Sequence, residues 1–214
     1  ARAAGINPVL GCEVYVAPGS RFDREIGSGD DRYYHLVLLA ENNQGYANLM
    51  KIVSKSFVEG FYYKPRVDLQ LLEKYHEGLI ALSACLAGEV ATYIRENNYE
   101  KAKNTALRLQ DLFGKDNFFL ELQDHGIPDQ TKVNTALLKM SKETGIDLVA
   151  TNDIHYTFKE DAEAHDILLC IQTGKKVQDE DRMRYEGGQY YLKSPEEMQR
   201  LFPYAREAIE NTGK

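Results

Sequence analysis

The sequence predicts an α/β fold in which a mainly parallel sheet is covered by helices and closes into a barrel. Three observations carry that expectation. Short apolar, β-branched runs alternate with longer segments of helical period, the signature of strand–helix–strand units. The run LIALSA, residues 79–84, is apolar at nearly every position, as in a strand buried on both faces. Polar candidates stand beyond the ends of several different strands rather than at one crevice, which favours a barrel over a doubly wound sheet.

Taken in order, residues 1–7 (ARAAGIN) read as the last turn of a helix ended by Gly5. Because they begin without Met, the chain is expected to be a fragment of something longer. Strands are predicted at 9–17, 35–40, 79–84, 118–123 and 147–151. Helices are predicted at 44–59, 69–76, 88–113, 130–144, 161–172 and 195–211, each with apolar residues at three- and four-residue spacings. Residues 18–32 (PGSRFDREIGSGDDR) form a Gly-, Ser- and charge-rich excursion between two strands. Residues 175–193 lack helical period and contain a Gly-Gly turn, predicting an extended arm or hairpin. Ser194, with Pro195 and two glutamates behind it, marks the start of the last helix. Residues 1–214 are thus read as one domain, with 175–214 an arm and helix leading away from it.

Bulk properties narrow the function classes. The apolar content of 43% is ordinary for a packed core. No window approaches the roughly 18 to 20 apolar residues of a spanning helix, and no basic-then-apolar leader opens the chain. Cys12, Cys85 and Cys170 are odd in number and scattered, suiting a reducing cytoplasm rather than a disulfide framework. A net charge of −7 argues against holding nucleic acid by bulk electrostatics, while acidic side chains can serve divalent cations.

In parallel α/β folds ligands collect at the carboxyl ends of strands. Beyond 79–84 comes Cys85, beyond 118–123 come Asp124 and His125, and beyond 147–151 come Asn152, Asp153 and His155. If the chain stays extended, Asp153 and His155 point to one face and can share a metal. Imidazole with carboxylate suits zinc, manganese or iron, and a thiolate at Cys85 tilts the choice to zinc. Each has a plainer reading: a strand-end Asp capping a turn, Cys85 as a small buried residue, His125 as a turn residue before Gly126, and His35 as a hydrogen-bonded edge residue. Glu13 sits in the apolar run VLGCEVYVA, where an unpaired carboxylate is costly and needs a partner. His165 reads as a surface or interhelical residue and His76 as a helix-terminal one. The string FYYKPRVD, 61–68, suits base stacking and phosphate contact through Lys64 and Arg66, or equally a rigid connection.

The segments GCEVYVAP (11–18), YYHLVLLAENNQGYANLMKIVS (33–54), EGFYYKPRVD (59–68), GLIALSACLAGEV (78–90), FFLELQDHGIPDQ (118–130), LVATNDIHY (148–156), EDAEAHDILLCIQTGK (160–175) and YLKSPEEM (191–198) resemble the N-terminal polymerase-and-histidinol-phosphatase (PHP) domain of the bacterial replicative DNA polymerase III alpha subunit. The resemblance implies a distorted (β/α)7 barrel of the PHP type with a zinc or manganese cluster at one mouth. Glu13, His35, Cys85, Asp153 and His155 match its ligand positions, and His125 matches a further motif. The family's upstream His-x-His and Thr-Asp-His motifs are not found in these residues, so the resemblance implies an N-terminally truncated barrel and an incomplete cluster, inactive on its own. The polymerase palm would lie beyond Lys214. For the parent, the resemblance implies DNA replication in the cytoplasm as a DNA-directed DNA polymerase (nucleotidyltransferase), with a metal-dependent 3′–5′ exonuclease that proofreads. Its partners would be the DNA primer-template and other replisome subunits, with no membrane. The alternative is a non-catalytic module that stabilises the polymerase and docks a proofreading subunit. A free-standing phosphatase is disfavoured by the polymerase-like motifs.

Overall fold

A computed structural model describes residues 1–24 and 33–214. In chain order its regular elements are β1 (Gly11–Val16), β2 (Tyr34–Ala40), α1 (Asn43–Val58), β3 (Phe61–Tyr62), β4 (Lys64–Val67), α2 (Leu69–Tyr75), β5 (Leu79–Leu82), α3 (Glu89–Arg95), α4 (Tyr99–Phe113), β6 (Phe118–Leu122), α5 (Pro128–Thr144), β7 (Leu148–Ala150), α6 (Ala162–Thr173), α7 (Pro195–Leu201) and α8 (Arg206–Glu210). Short 3-10 turns lie before β1, on either side of α6 and after α8.

The strands form one sheet in the order β3-β4-β1-β2-β5-β6-β7. It is mixed rather than mainly parallel. β5–β6 and β6–β7 are parallel because helices cross between them, as are β4 and β1, but β1–β2, β2–β5 and β3–β4 are antiparallel. β1 and β2 are joined by the excursion at 18–32, which supplies no crossover helix in its described part. Among the described residues β3 and β7 stand at the two edges and do not pair with each other.

The sheet has two unequal faces. One packs under the helices in a large core that includes Phe118, Leu120 and Leu122 of β6 with Val133, Leu137 and Met140 of α5. The period-2 alternation of β6 sends Phe119 and Glu121 to the other face. There Phe119 meets Leu82 and Val149 in a small apolar cluster bordered by Val37, Leu39 and Ile80.

Differences from the expected elements have local causes. The helix predicted at 88–113 breaks at Asn97, which takes a left-handed φ of 62°. Asn98 then caps α4 through its side chain, accepting from the Lys101 N–H. The helix predicted at 195–211 divides before Pro203, which bars helical geometry at the preceding residue. The aromatic-basic string 61–68 is neither a bare connection nor a loop: it turns at Tyr63 (φ 61°) and pairs back as β3–β4. The arm at 175–193 folds back on the body, with an isolated parallel bridge between Tyr156 and Tyr191 and a 3-10 turn at Glu186–Gly188. Ser194 forms the anticipated capping box with Glu197.

The excursion at 18–32 lies outside the described residues beyond Arg24, but its start is well anchored. Arg21 is buried and reaches Asp68 at 3.0 Å and Glu59 at 2.7 Å, with the Asp68 side chain only 4% exposed. Asp68 also caps α2 through the Leu71 N–H. Arg21→Ala strands that buried carboxylate, so unfolding stability in urea is expected to drop by roughly 3 kcal/mol. A loss below about 1 kcal/mol, the level of a surface ion pair, would contradict this.

Candidate metal centre

The register of β1 and β2 creates the first half of the site. Glu13 opposes Val37 and Tyr15 opposes His35, so Glu13 and His35 are diagonal neighbours on the smaller face. The His35 N–H bonds the Ala87 carbonyl at 3.0 Å, tying β2 to the loop that follows β5. That loop is tight: Ala84 has a left-handed φ of 64°, and the Gly88 N–H closes on Cys85 O at 2.9 Å. Gly88 has no room for a side chain, since a Cβ there would lie 2.2 Å from Ser83 O.

The loop delivers Cys85 to His35. His35 Nδ1 lies 3.0 Å from Glu13 Oε1 and 3.5 Å from Cys85 Sγ. Ligand atoms of all three residues lie within 4.8 Å of one another, the one such group among the described residues. Burial opposes charge on His35, but the hydrogen bonds and charges of Cys85 and Glu13 outweigh it, and its pKa is pushed up to about 10. A carboxylate, an imidazole and a thiol converging on one point are donor types that suit a divalent metal ion.

Asp153 and His155 are placed differently from the expected extended pair. β7 ends at Ala150, and Asp153 takes a left-handed φ of 43°. His155 Nδ1 turns back to the Asp153 carbonyl at 2.8 Å and lies 3.8 Å from its Oδ1. The His155 ring packs on Tyr185 at 4.4 Å and on His165 at 5.5 Å. These two residues therefore form a second group, outside the Glu13–His35–Cys85 cluster. Tyr185 packs on the second group: burial pushes its phenol pKa up, and the charges of Asp153, Cys85 and Glu13 act in the same direction.

The other candidates have defined partners. His125 is buried, with Nε2 2.9 Å from Asn152 O, Nδ1 2.9 Å from Gln130 Nε2, and its ring stacked on Tyr190 at 4.0 Å. Both nitrogens are engaged, so His125 braces the 152–153 loop rather than facing a metal. Asp124 closes a turn onto the Gly126 N–H. Arg66, an expected DNA contact, is 1% exposed with its guanidinium on the carbonyls of Gly60, Arg21 and Asp23, which removes it from any DNA surface. Lys64 is exposed and sits 5.7 Å from the Tyr15 ring, which in turn contacts His35.

The sequence reading passed over Glu121. Its side chain is buried on the same face, where Oε1 accepts from the Thr151 hydroxyl and from Gln123 Nε2 at 3.0 Å. Its backbone N–H donates to Ser83 Oγ at 2.8 Å. Glu121 Oε2 and Gln123 Oε1 are buried with no hydrogen-bond partner. The signal was available, because FFLELQ holds a carboxylate inside an apolar strand just as VLGCEVYVA does.

Burial pushes the Glu121 carboxyl pKa up from 4.5, against the hydrogen bonds from Thr151 and Gln123. The folded state then holds this proton more tightly than the unfolded state, so its stabilising contribution is full below pH 4.5 and is lost as pH rises through the folded value. Glu121→Gln has no proton to lose. Wild type is expected to lose stability relative to this variant as pH rises from 4.5, read from paired urea titrations; parallel pH curves would refute it.

A family model described as the PHP domain matches residues 1–125. DNA polymerase III subunit alpha of Treponema pallidum (strain Nichols) is 48% identical over 210 residues, covering 98% of this chain and 18% of the relative. Its counterpart in Borreliella burgdorferi is 50% identical over 212 residues, covering 99% and 18%. That of Thermus aquaticus is 44% identical, again covering 99% and 18%. The chain thus spans 18% of the length of these relatives. With more than half its residues matched by one domain model, and with carboxylate, imidazole and thiol converging on one face of its sheet, the chain belongs to the PHP domain family.

Proposed function

We propose that this chain is the PHP portion of a bacterial DNA polymerase III alpha subunit and that its smaller sheet face holds a divalent metal for phosphodiester hydrolysis at a DNA 3′ end, as in proofreading. The single observation that carries the reading is the convergence of Glu13, His35 and Cys85 within 4.8 Å. A bound zinc or manganese would supply Lewis acidity and a water of lowered pKa at that point. In this reading Glu13, His35 and Cys85 hold one position, and Asp153 and His155 provide a second set of donors. Tyr185, whose ring packs on His155, offers a phenol hydroxyl to a phosphate bound there. Lys64, exposed on the rim beside Tyr15, offers a local cation to the DNA backbone of an otherwise acidic chain.

The polar residues and the cluster of Phe119, Leu82 and Val149 share one face, which suits the interior of a PHP-type barrel with its metals at one mouth. The expected partners are the DNA primer-template and other replisome subunits. No helix among the described residues is long and apolar enough to cross a membrane, and the three cysteines are free, in keeping with a cytoplasmic place.

A second reading, a structural module that stabilises the polymerase, is favoured by the way His125, Asn152 and Tyr190 lock the arm to the end of β7. Metal content and 3′ excision from a mismatched primer, measured on the polymerase subunit carrying this chain, separate the two. Asp153→Asn and His155→Ala are expected to lower both by at least about 10-fold. Excision and metal content equal to wild type in both variants would remove Asp153 and His155 from the site, and a wild type that binds metal without excising would establish the structural module.

A further inference from the structure

Glu121 is a buried carboxylic acid on the smaller face, next to the apolar cluster of Phe119, Leu82 and Val149. An apolar side chain would fill that place without burying Glu121 Oε2 away from any partner, and a position serving packing alone gains nothing from the acid. What the acid does is connect strand ends. Its Oε1 accepts from the hydroxyl of Thr151, two residues before Asp153, while the backbone N–H at 121, whatever the side chain, holds Ser83, two residues before Cys85. The ladder ends at the same point, with the Thr151 N–H on Leu122 O at 3.0 Å. Beyond it the chain enters the left-handed turn at Asp153, so the direction in which it leaves the sheet is set by what grips Thr151 and Asn152. His125 holds Asn152 through its carbonyl, and Glu121 holds Thr151 through its hydroxyl.

We propose that Glu121 is a positioning residue for the metal centre, acting through the Thr151 hydroxyl to fix where Asp153 leaves the sheet. The inference rests on the reading of Asp153 as a metal ligand. Because Glu121 bonds Thr151 and not Asp153 itself, its effect is expected at the lower end of the roughly 10- to 100-fold in metal affinity that direct hydrogen-bond partners of ligands carry.

The test is a competition titration of zinc against a chromophoric chelator on the polymerase subunit carrying this chain. Glu121→Leu and Thr151→Val are each expected to weaken zinc binding about 10-fold or more, whereas Glu121→Gln, which keeps an acceptor for Thr151, binds like wild type. Glu121→Leu placed on Asp153→Ala should cost nothing beyond Asp153→Ala alone, which a general loss of stability would not reproduce. If Glu121→Leu fails to fold, Thr151→Val on the Asp153→Ala background carries the same comparison. Wild-type affinity in Thr151→Val and Glu121→Leu, beside a weakened Asp153→Ala, overturns the inference alone. So does a Glu121→Leu loss that adds in full to that of Asp153→Ala. Wild-type affinity in Asp153→Ala instead overturns the reading of the site on which the inference stands.

Discussion

His35→Ala is expected to lower the zinc affinity of the site by more than about 100-fold, beyond what losing an outer partner of a ligand costs. His35 is the member of the cluster that touches both others, at 3.0 Å from Glu13 Oε1 and 3.5 Å from Cys85 Sγ. Its position is held by backbone bonds, through the pairing of β2 with β1 and β5 and the bond to Ala87, so the strand stays in place when the ring is removed. The variant keeps one carboxylate and one thiol, too few donors for a tetrahedral metal without a third side chain. Circular dichroism should be unchanged while the chelator competition shifts. An affinity within threefold of wild type would show that the imidazole holds no metal.

Gly88→Ala should be nearly as damaging by a different route. The new methyl would lie 2.2 Å from Ser83 O and 3.2 Å from Cys85 O, and neither backbone oxygen can swing aside as a side chain would. The loop carrying Cys85 must open, and with it the bond from His35 N–H to Ala87 O. Overpacking of this kind costs about 3 kcal/mol. Zinc affinity is expected to fall alongside stability, because Cys85 is displaced from His35. A variant with wild-type melting and zinc binding would mean that the loop is not the rigid support described.

The parts of the fold readable in advance are those where one local rule acts. β5, β6 and β7 announce themselves as apolar runs, and α3–α4 and α5 between them make parallel crossovers, as strand–helix–strand alternation requires. Antiparallel β1–β2–β5 was not readable, since the alternation rule assumes a helix after every strand and the excursion at 18–32 follows β1 instead. β3–β4 was missed because Pro65 argues against a strand and nothing in the sequence marks Tyr63 as the left-handed turn of so short a hairpin. At the site, Cys85 was named from its strand-end position, Glu13 from its carboxylate in an apolar run and His35 from the resemblance; the β1–β2 register and the loop after β5 bring all three together. The Asp153–His155 geometry escaped because it depends on Thr151 and Asn152 being gripped from β6 and from the arm, contacts far apart in sequence. Arg66 shows the converse limit: in a string of aromatics and cations it reads as a surface residue, and only the fold reveals carbonyls waiting for its guanidinium.

The central claim, that Glu13, His35 and Cys85 form a metal centre, is tested most directly by titrating cobalt(II) into the protein that carries this chain and following the near-ultraviolet thiolate-to-cobalt absorption. The account predicts a saturable band in wild type that is lost in Cys85→Ser and in His35→Ala. A band of wild-type intensity in Cys85→Ser, or no band in wild type while cobalt still binds, would contradict it.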